Sequence, residues 1–556
     1  MTEREPVLIP SRIARGSRGA VVAPHHLATN VGLGVLASGG HAVDAAIATN
    51  AALAVVEPNG CGIGGDAFWL VWDEARGEQV GLNGSGRAPS GADPGALRAR
   101  GLTRLPLRGP YGVTVPGAVR SWSDAHRRFG RLPLDRVLGP AIELAERGFA
   151  AWGGFIDAVE RTAASVGDAH WARGFHAVYR PNGRAWREGE LVRLPALTAT
   201  LRRLADQGLD AFYEGDIGER QAAALRDAGA PCSVADFAGH RSTWTTPIGT
   251  SYRGTRVTTH PPNSAGIVAL EILNILETFG PPSADRYGAA GWNDARWIHL
   301  GLEASKLALA DRDACLTDPE AREVPVGRLT DKAYAASLAS RIDERVADVT
   351  PTPCRTLVGG TIYLAAVDAD GNAVSLIESN AAGFGSGIVD PVTGIHYQNR
   401  GASFSLDPDH PNVLAPGKRT AHSLMPGMLF REGEARPWVV AGSMGGDIQP
   451  QIHAQLVSAL VDGRADIAMS VSAPRWSVEA DGYLAPPTLV SVERRLAPDA
   501  ETNLAEMGHS ITRGEAFDSN FGHCHAIELV NGGPAAGGGS LAAVTDPRSW
   551  GLPAVR

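Results

Sequence analysis

The sequence predicts an α+β protein in which helices and antiparallel strands stack in layers. Helical patterns crowd roughly the first 350 residues, whereas strand patterns dominate the remainder. Thr361–Ser379 reads as an apolar strand, an Asp-Gly-Asn turn around Gly371 and a second apolar strand, which is the pattern of a β-hairpin. Runs of helices followed by runs of antiparallel strands favour a layered α+β architecture over alternating βα units.

From His26 the apolar residues Leu27, Val31 and Val35 recur every four positions, and Gly39-Gly40 stops that helix. An alanine-rich helix follows through AVDAAIATNAALAVV and ends at Pro58. So many small side chains imply close packing on a neighbour. The glycine-dense loop NGCGIGGDAFWLVWD then leads into a buried strand, FWLVW. Further helices are expected at 117–129, 133–148, 194–207, 216–228, 265–279, 290–311, 449–462 and 500–507. Pro116 and Pro133 stand where prolines open helices. Further strands are expected near 395–398, 427–431, 437–442, 490–493 and 524–530. Residues 1–20 read as a tail.

Bulk properties exclude several function classes. The 556 residues carry 51 basic and 60 acidic side chains, a net charge of −9, with no basic stripe of the kind nucleic acids require. No apolar run approaches the roughly 18 residues of a membrane helix, and the first thirty residues lack a secretory apolar core. A cytoplasmic protein without nucleic-acid or membrane partners is expected. The five cysteines are scattered and form no CxxC pair, which suits isolated thiols.

Several motifs fail on inspection. Asp368-Ala-Asp370-Gly-Asn372 opens like a calcium loop but has Ala373 and Ser379 where glycine and glutamate are needed. Pro416-Gly417-Lys418-Arg419 lacks the spacing of a phosphate loop. His523-Cys524-His525 offers two alternate ligands and no third nearby, so no metal is expected. Ala441-Gly-Ser443-Met-Gly445 misses the first glycine of a nucleophile elbow. A serine hydrolase using Ser443 is a rival reading, as is a non-catalytic scaffold that binds a small acid.

The most informative segment is Val358-Gly359-Gly360-Thr361. A threonine at a new N-terminus carries a hydroxyl and a free amine, so nucleophile and base come from one residue. Flexible glycine before it would let the Gly360 carbonyl approach the Thr361 hydroxyl, as an N→O acyl shift demands.

TIYLAAVDADGNAVSLIESNAAGFGSGIV resembles the start of the small subunit of the γ-glutamyltransferase family. Other blocks of that family stand in order: His26–Glu57 with GIGGDAFWL, LNGSGRAP, Gln398–Pro408, Pro416–Pro426, Gly442–Gly446 and Asp546-Pro547-Arg548-Ser549. The resemblance implies the four-layer αββα sandwich of N-terminal nucleophile hydrolases. One domain is then formed by two self-cleavage fragments, 21–360 and 361–556, cut between Gly360 and Thr361. It implies Thr361 as nucleophile, Ser379 as the second hydroxyl, Gly445 and Gly446 as the oxyanion pair, and Arg87 as the grip on a substrate carboxylate. No cofactor is implied; paired fragments, and a dimer of such pairs, are.

The resemblance breaks at the ammonium site. Where γ-glutamyl transpeptidases carry two acids this chain has Ala402 and Ser403, with Arg400 beside them. Ala381 replaces an expected asparagine, and His422-Ser423 an expected Ser-Ser pair. A substrate ammonium beside Arg400 would be repelled and unpaired. Arg87, Arg400, His422 and Ser423 suit a carboxylate-bearing amide instead, oxamate-like or γ-glutamyl-like, with water as acceptor. QNRGASFSLDP with GSMGGDIQPQ is similar to the branch containing oxamate amidohydrolase and glutathione-hydrolase-like proteins. A γ-glutamyltransferase proper, an acylase, and a C–C-cleaving hydrolase of secondary metabolism are the alternatives within the family.

Overall fold

A computed structural model describes residues 11–282, 294–350, 360–478 and 489–556. Its centre is a pair of seven-stranded sheets facing each other. The strands, in chain order, are β1 (Ala14–Gly16), β2 (Gly19–Val22), β3 (Asp66–Asp73), β4 (Glu78–Gly84), β5 (Thr243–Thr245), β6 (Ile248–Tyr252) and β7 (Thr255–Thr259). They continue as β8 (Gly360–Asp368), β9 (Ala373–Ala381), β10 (Gly427–Phe430), β11 (Val439–Met444), β12 (His523–Val530), β13 (Ser540–Val544) and β14 (Ala554–Val555). One sheet runs β14-β2-β8-β9-β3-β4-β5, the other β1-β13-β12-β11-β10-β7-β6, and all their pairings are antiparallel.

Strand alternation sorts the side chains into layers. On β8, Ile362, Leu364 and Ala366 face a helical core that includes α1 (His26–Ala37) and α2 (Ala42–Val56). Tyr363, Ala365 and Val367 face the other sheet and meet Met428, Phe430, Val440 and Ile527. Behind that second sheet Val439, Ala441, Cys524 and Ala526 pack on helices that include α3 (Gly266–Leu276), α4 (Ala295–Cys315) and α5 (Gln449–Val461). The order helix, sheet, sheet, helix is thus the four-layer sandwich. Every residue of α2 is buried, so its alanines let it lie flat on the sheet. Gly442 is required by the opposing sheet: a Cβ there would stand 2.3 Å from the Tyr363 ring. The Tyr363 hydroxyl in turn meets Ser375 Oγ at 2.8 Å, and Ser375 Oγ accepts from the Gly427 N–H at 3.2 Å, joining the two sheets.

The expected helices at 117–129, 133–148, 194–207 and 216–228 form at Ala118–Phe129, Leu134–Arg147, Pro195–Gln207 and Gly215–Ala228. The hairpin turns at Gly371, whose φ of 91° only glycine adopts easily. The expected strand at 395–398 does not form. That stretch is a loop touching Val389 through one bridge at His396, and its amides pair with other loops. Part of the expected tail is structured too, since β1 pairs with β13 and β2 with β8 and β14. Val358, Gly359, Cys354 and 290–293 of the expected 290–311 helix lie outside the described residues.

Candidate active site

The parity that puts Tyr363 between the sheets also puts Thr361 there, at the start of β8. Ser379 shares the facing parity on β9, and the register pairs Thr361 with Ser379 and Ser379 with Asp66 of β3. Three chemistry-bearing side chains therefore enter the inter-sheet gap at one end. A bulge sits at this point: Gly360 pairs with Ala381 and Thr361 with Ser379, leaving Asn380 as the extra residue. Bulges of this kind re-aim side chains at a sheet's end.

Thr361 is buried and donates from Oγ1 to Ser379 Oγ at 2.9 Å. Ser379 Oγ donates to the Gly360 carbonyl at 2.8 Å, the carbonyl of the Gly360–Thr361 peptide. Ser379 also accepts from the Ala381 N–H at 2.8 Å and from Arg400 Nη2 at 3.1 Å. Arg400 opens a short 3-10 turn and is buried; its Nη1 donates to Ser423 Oγ at 3.3 Å. Burial lowers the Arg400 guanidinium to about 10, against the opposing charges of Asp66 and Asp447, so it stays a cation at neutral pH.

Asp66 binds the segments of the site together. Its Oδ1 accepts from the Gly86 N–H at 2.8 Å, the Gly117 N–H at 3.2 Å and Gln398 Nε2 at 2.7 Å. Its Oδ2 lies 3.3 Å from His422 Nε2. Burial raises the carboxyl to about 7, opposed by the Arg400 charge and by these donors. His422 is buried and held well below its ordinary value by desolvation and by Arg400, so it is neutral; its Nδ1 accepts from the Leu424 N–H at 3.4 Å, which leaves the proton on Nε2 facing Asp66. Sequence reasoning missed Asp66. Its signal was an acid opening an apolar strand in GIGGDAFWL, a position where a buried carboxylate must find donors.

Gly445 and Gly446 follow β11 with φ of 151° and 61°, backbone that a side chain would strain. Asp447, the next residue, is near enough to Arg400 to oppose its loss of charge. Arg87 is placed differently. It donates to Asp318 at 3.4 Å, Glu320 at 2.8 Å and the Gly417 carbonyl at 3.1 Å, and among the described residues no hydrogen bond joins it to the Thr361 cluster. Arg419 shares the same two acids.

Ser443 falls on the opposite parity of β11, is wholly buried, and its Oγ has no partner among the described residues, which is not the arrangement of a nucleophile with its base. His523 and His525 are buried on β12 and held below their ordinary value by desolvation. Asp368 closes the 368–372 turn by accepting from Asp370 and Asn372 amides. Among the described residues His299, Glu303 and His509 form a group compact enough for a metal. That group is already closed: Lys306 Nζ donates to Glu303 at 2.6 Å and His299 bonds His509 at 2.9 Å. An ammonium on the shared carboxylate opposes a second cation there.

A family model described as gamma-glutamyltranspeptidase matches residues 28–555. The chain belongs to the gamma-glutamyltranspeptidase family. It is 36% identical over 543 residues to the glutathione hydrolase-like YwrD proenzyme of Bacillus subtilis, covering 96% of this chain and 98% of that protein. It is 38% identical over 544 residues to the oxamate amidohydrolase proenzyme of Klebsiella pneumoniae, covering 97% and 98%. A solved cephalosporin acylase from Bacillus halodurans superposes with a TM-score of 0.90 at 37% identity, over 100% of this chain and 99% of that one. The chain is therefore a hydrolase of this family with the proenzyme design of its relatives, and its αββα sandwich is the family fold.

Proposed function

We propose that the chain cleaves itself between Gly360 and Thr361 and that Thr361 then acts as the nucleophile of an amidohydrolase for small carboxylate-bearing amides. The observation that supports this reading most is the chain of hydrogen bonds from Thr361 Oγ1 through Ser379 Oγ to the Gly360 carbonyl, with Arg400 on the same serine. Once the bond is cut, the Thr361 amine can accept the hydroxyl proton. Thr361 Oγ attacks the substrate amide carbonyl, the amine leaves with that proton, and water releases the acyl group as an acid. The N–H groups of Gly445 and Gly446 are assigned to the tetrahedral oxyanion, where one donor is worth about 3 kcal/mol.

With Arg87 already paired to two carboxylates, carboxylate recognition beside Thr361 is assigned to Arg400 and Ser423, with His422 and Asp66 behind them. Arg400 Nε finds no acceptor among the described residues, so the guanidinium keeps a donor for a ligand. A planar guanidinium accepts a carboxylate in two parallel bonds. The absence of acids at Ala402 and Ser403 argues against an α-ammonium group as the recognised handle. Oxamate and short dicarboxylic monoamides are the favoured class, with water as acceptor. The test is a denaturing gel and a substrate panel of oxamate, glutaramate and γ-glutamyl-p-nitroanilide. Two fragments and a preference for the first two are expected. A fully active enzyme that remains one chain, or fastest turnover of the γ-glutamyl anilide, would overturn it.

A further inference from the structure

Arg400 does not wait for a substrate to meet the reacting atoms. In the uncleaved chain its Nη2 is already on Ser379 Oγ at 3.1 Å, and Ser379 already donates to the Gly360 carbonyl at 2.8 Å. Three donors surround that one oxygen: the Thr361 hydroxyl, the Ala381 N–H and Arg400. A hydroxyl that accepts from a cation becomes a stronger donor to its own acceptor. Its acceptor here is the oxygen on which negative charge develops when Gly360 is attacked. The site is buried, so a fixed charge acts with little screening.

We propose that Arg400 is a positioning residue for self-cleavage: acting through Ser379, the same guanidinium that later receives the substrate's carboxylate first polarises the Gly360–Thr361 bond of the precursor. The step balances within the chain. Thr361 Oγ bonds to the Gly360 carbon, and the carbonyl electron pair moves onto the Gly360 oxygen beside the Ser379 O–H. The Thr361 hydroxyl proton reaches the Thr361 nitrogen as the C–N bond breaks, while the Ser379 O–H keeps donating to the Gly360 oxygen. Water then cleaves the ester, leaving a Gly360 carboxylate, the Thr361 hydroxyl and a free amine. The proposal rests on Thr361 being the nucleophile.

Its second consequence concerns order. While Ser379 and Ser423 hold both terminal nitrogens of Arg400, a substrate acid must compete for them. The precursor is thereby set for cleavage before substrate binding.

The experiment follows loss of the full-length chain on denaturing gels, after cell-free synthesis, across pH 6–10 for wild type, Arg400→Gln, Arg400→Lys and Thr361→Ala. Arg400→Gln should slow cleavage about 10²-fold, the order expected for weakening one oxyanion donor. Arg400→Lys should recover to within about tenfold of wild type near neutrality and fail at alkaline pH. A buried ammonium loses its proton well before the Arg400 guanidinium, which gives up its own only near pH 10. Cleavage of Arg400→Gln at the wild-type rate would overturn the proposal. So would an Arg400→Lys rate that tracks wild type across the whole pH range, or one no faster than Arg400→Gln. Continued cleavage by Thr361→Ala would overturn the underlying reading of Thr361 instead.

Discussion

Two buried clusters of opposite charge lie in this molecule, and they are wired differently. In the C-terminal part, Asp546 accepts from Arg475 at 2.5 Å, from Arg548 at 3.1 Å and from the Cys524 N–H at 2.7 Å. Glu493 accepts from Arg548 at 2.6 Å and from Arg495 at 2.8 Å. Each acid there is bonded directly to arginine, and the neighbouring cations hold the Asp546 carboxyl well below the usual range. At the Thr361 end, Asp66 and Arg400 feel each other's charge, yet among the described residues no hydrogen bond joins them. Asp66 is spent on loop amides, Gln398 and His422; Arg400 is spent on two serines. The C-terminal cluster cancels its charges, whereas the cluster proposed to react holds a cation beside hydroxyls.

The sharpest way to test this contrast is at its chemical end. Thr361→Ala should leave a single chain and lower amide hydrolysis at least about 10³-fold, read on a denaturing gel and by ammonia release. The next effect belongs to the structural cluster. Asp546→Asn removes one partner of a buried pair and should cost about 3–5 kcal/mol in urea denaturation at pH 7. The sign follows from linkage: a carboxyl held low when folded contributes stability above its unfolded value near 4, lost as pH falls through the folded value. The gap between wild type and Asp546→Asn should therefore shrink in acid. A gap that widened in acid would mean the cluster is not held by ionised Asp546.

Much of this division was legible before any coordinates. Hairpin 361–379 was readable because an apolar alternation around Asp-Gly-Asn has few other solutions. Parity along that hairpin then dictates that Thr361 and Ser379 face one gap. The partner of Arg87 was not legible. Local spacing around LNGSGRAP says nothing about Asp318 and Glu320, which arrive from more than two hundred residues away. Asp66 was overlooked for the same reason: its four donors come from separate segments around 86, 117, 398 and 422. The expected strand at 395–398 failed because alternation there serves loop contacts, with Gln398 reaching Asp66 and Asn380 reaching His396.

Asp66 should show the reverse pH signature to Asp546. Burial raises it to about 7, against an unfolded value near 4. Between those limits the folded state holds a proton that the unfolded chain releases, so its contribution to stability falls as pH rises and is gone above about 7. Arg400 and His422 face it directly, and Glu378 and Tyr213 lie within its field. Asp66→Asn should consequently match wild type at pH 5 and exceed it by about 1–2 kcal/mol at pH 8 in urea denaturation. A variant less stable than wild type at pH 8 would place Asp66 with the charge-cancelling kind of cluster.

The smallest effect is expected at Arg87, and it separates the two arginines of the sequence reading. The Arg87 side chain is 27% exposed and its Glu320 partner 54% exposed, while the buried Asp318 carboxylate lies farther off at 3.4 Å and keeps the Arg419 N–H at 2.8 Å. Exposed ion pairs are worth about 0.2–1 kcal/mol. Arg87→Ala should therefore lower stability by less than about 1 kcal/mol and change KM for oxamate less than about threefold. Arg400→Gln, if its precursor is allowed to complete cleavage, should raise KM for the same substrate more than tenfold, because a carboxylate would lose its cation in a buried site. A tenfold rise in KM for Arg87→Ala would return Arg87 to the substrate. It would mean that Asp318 and Glu320 only hold its place until an acid arrives.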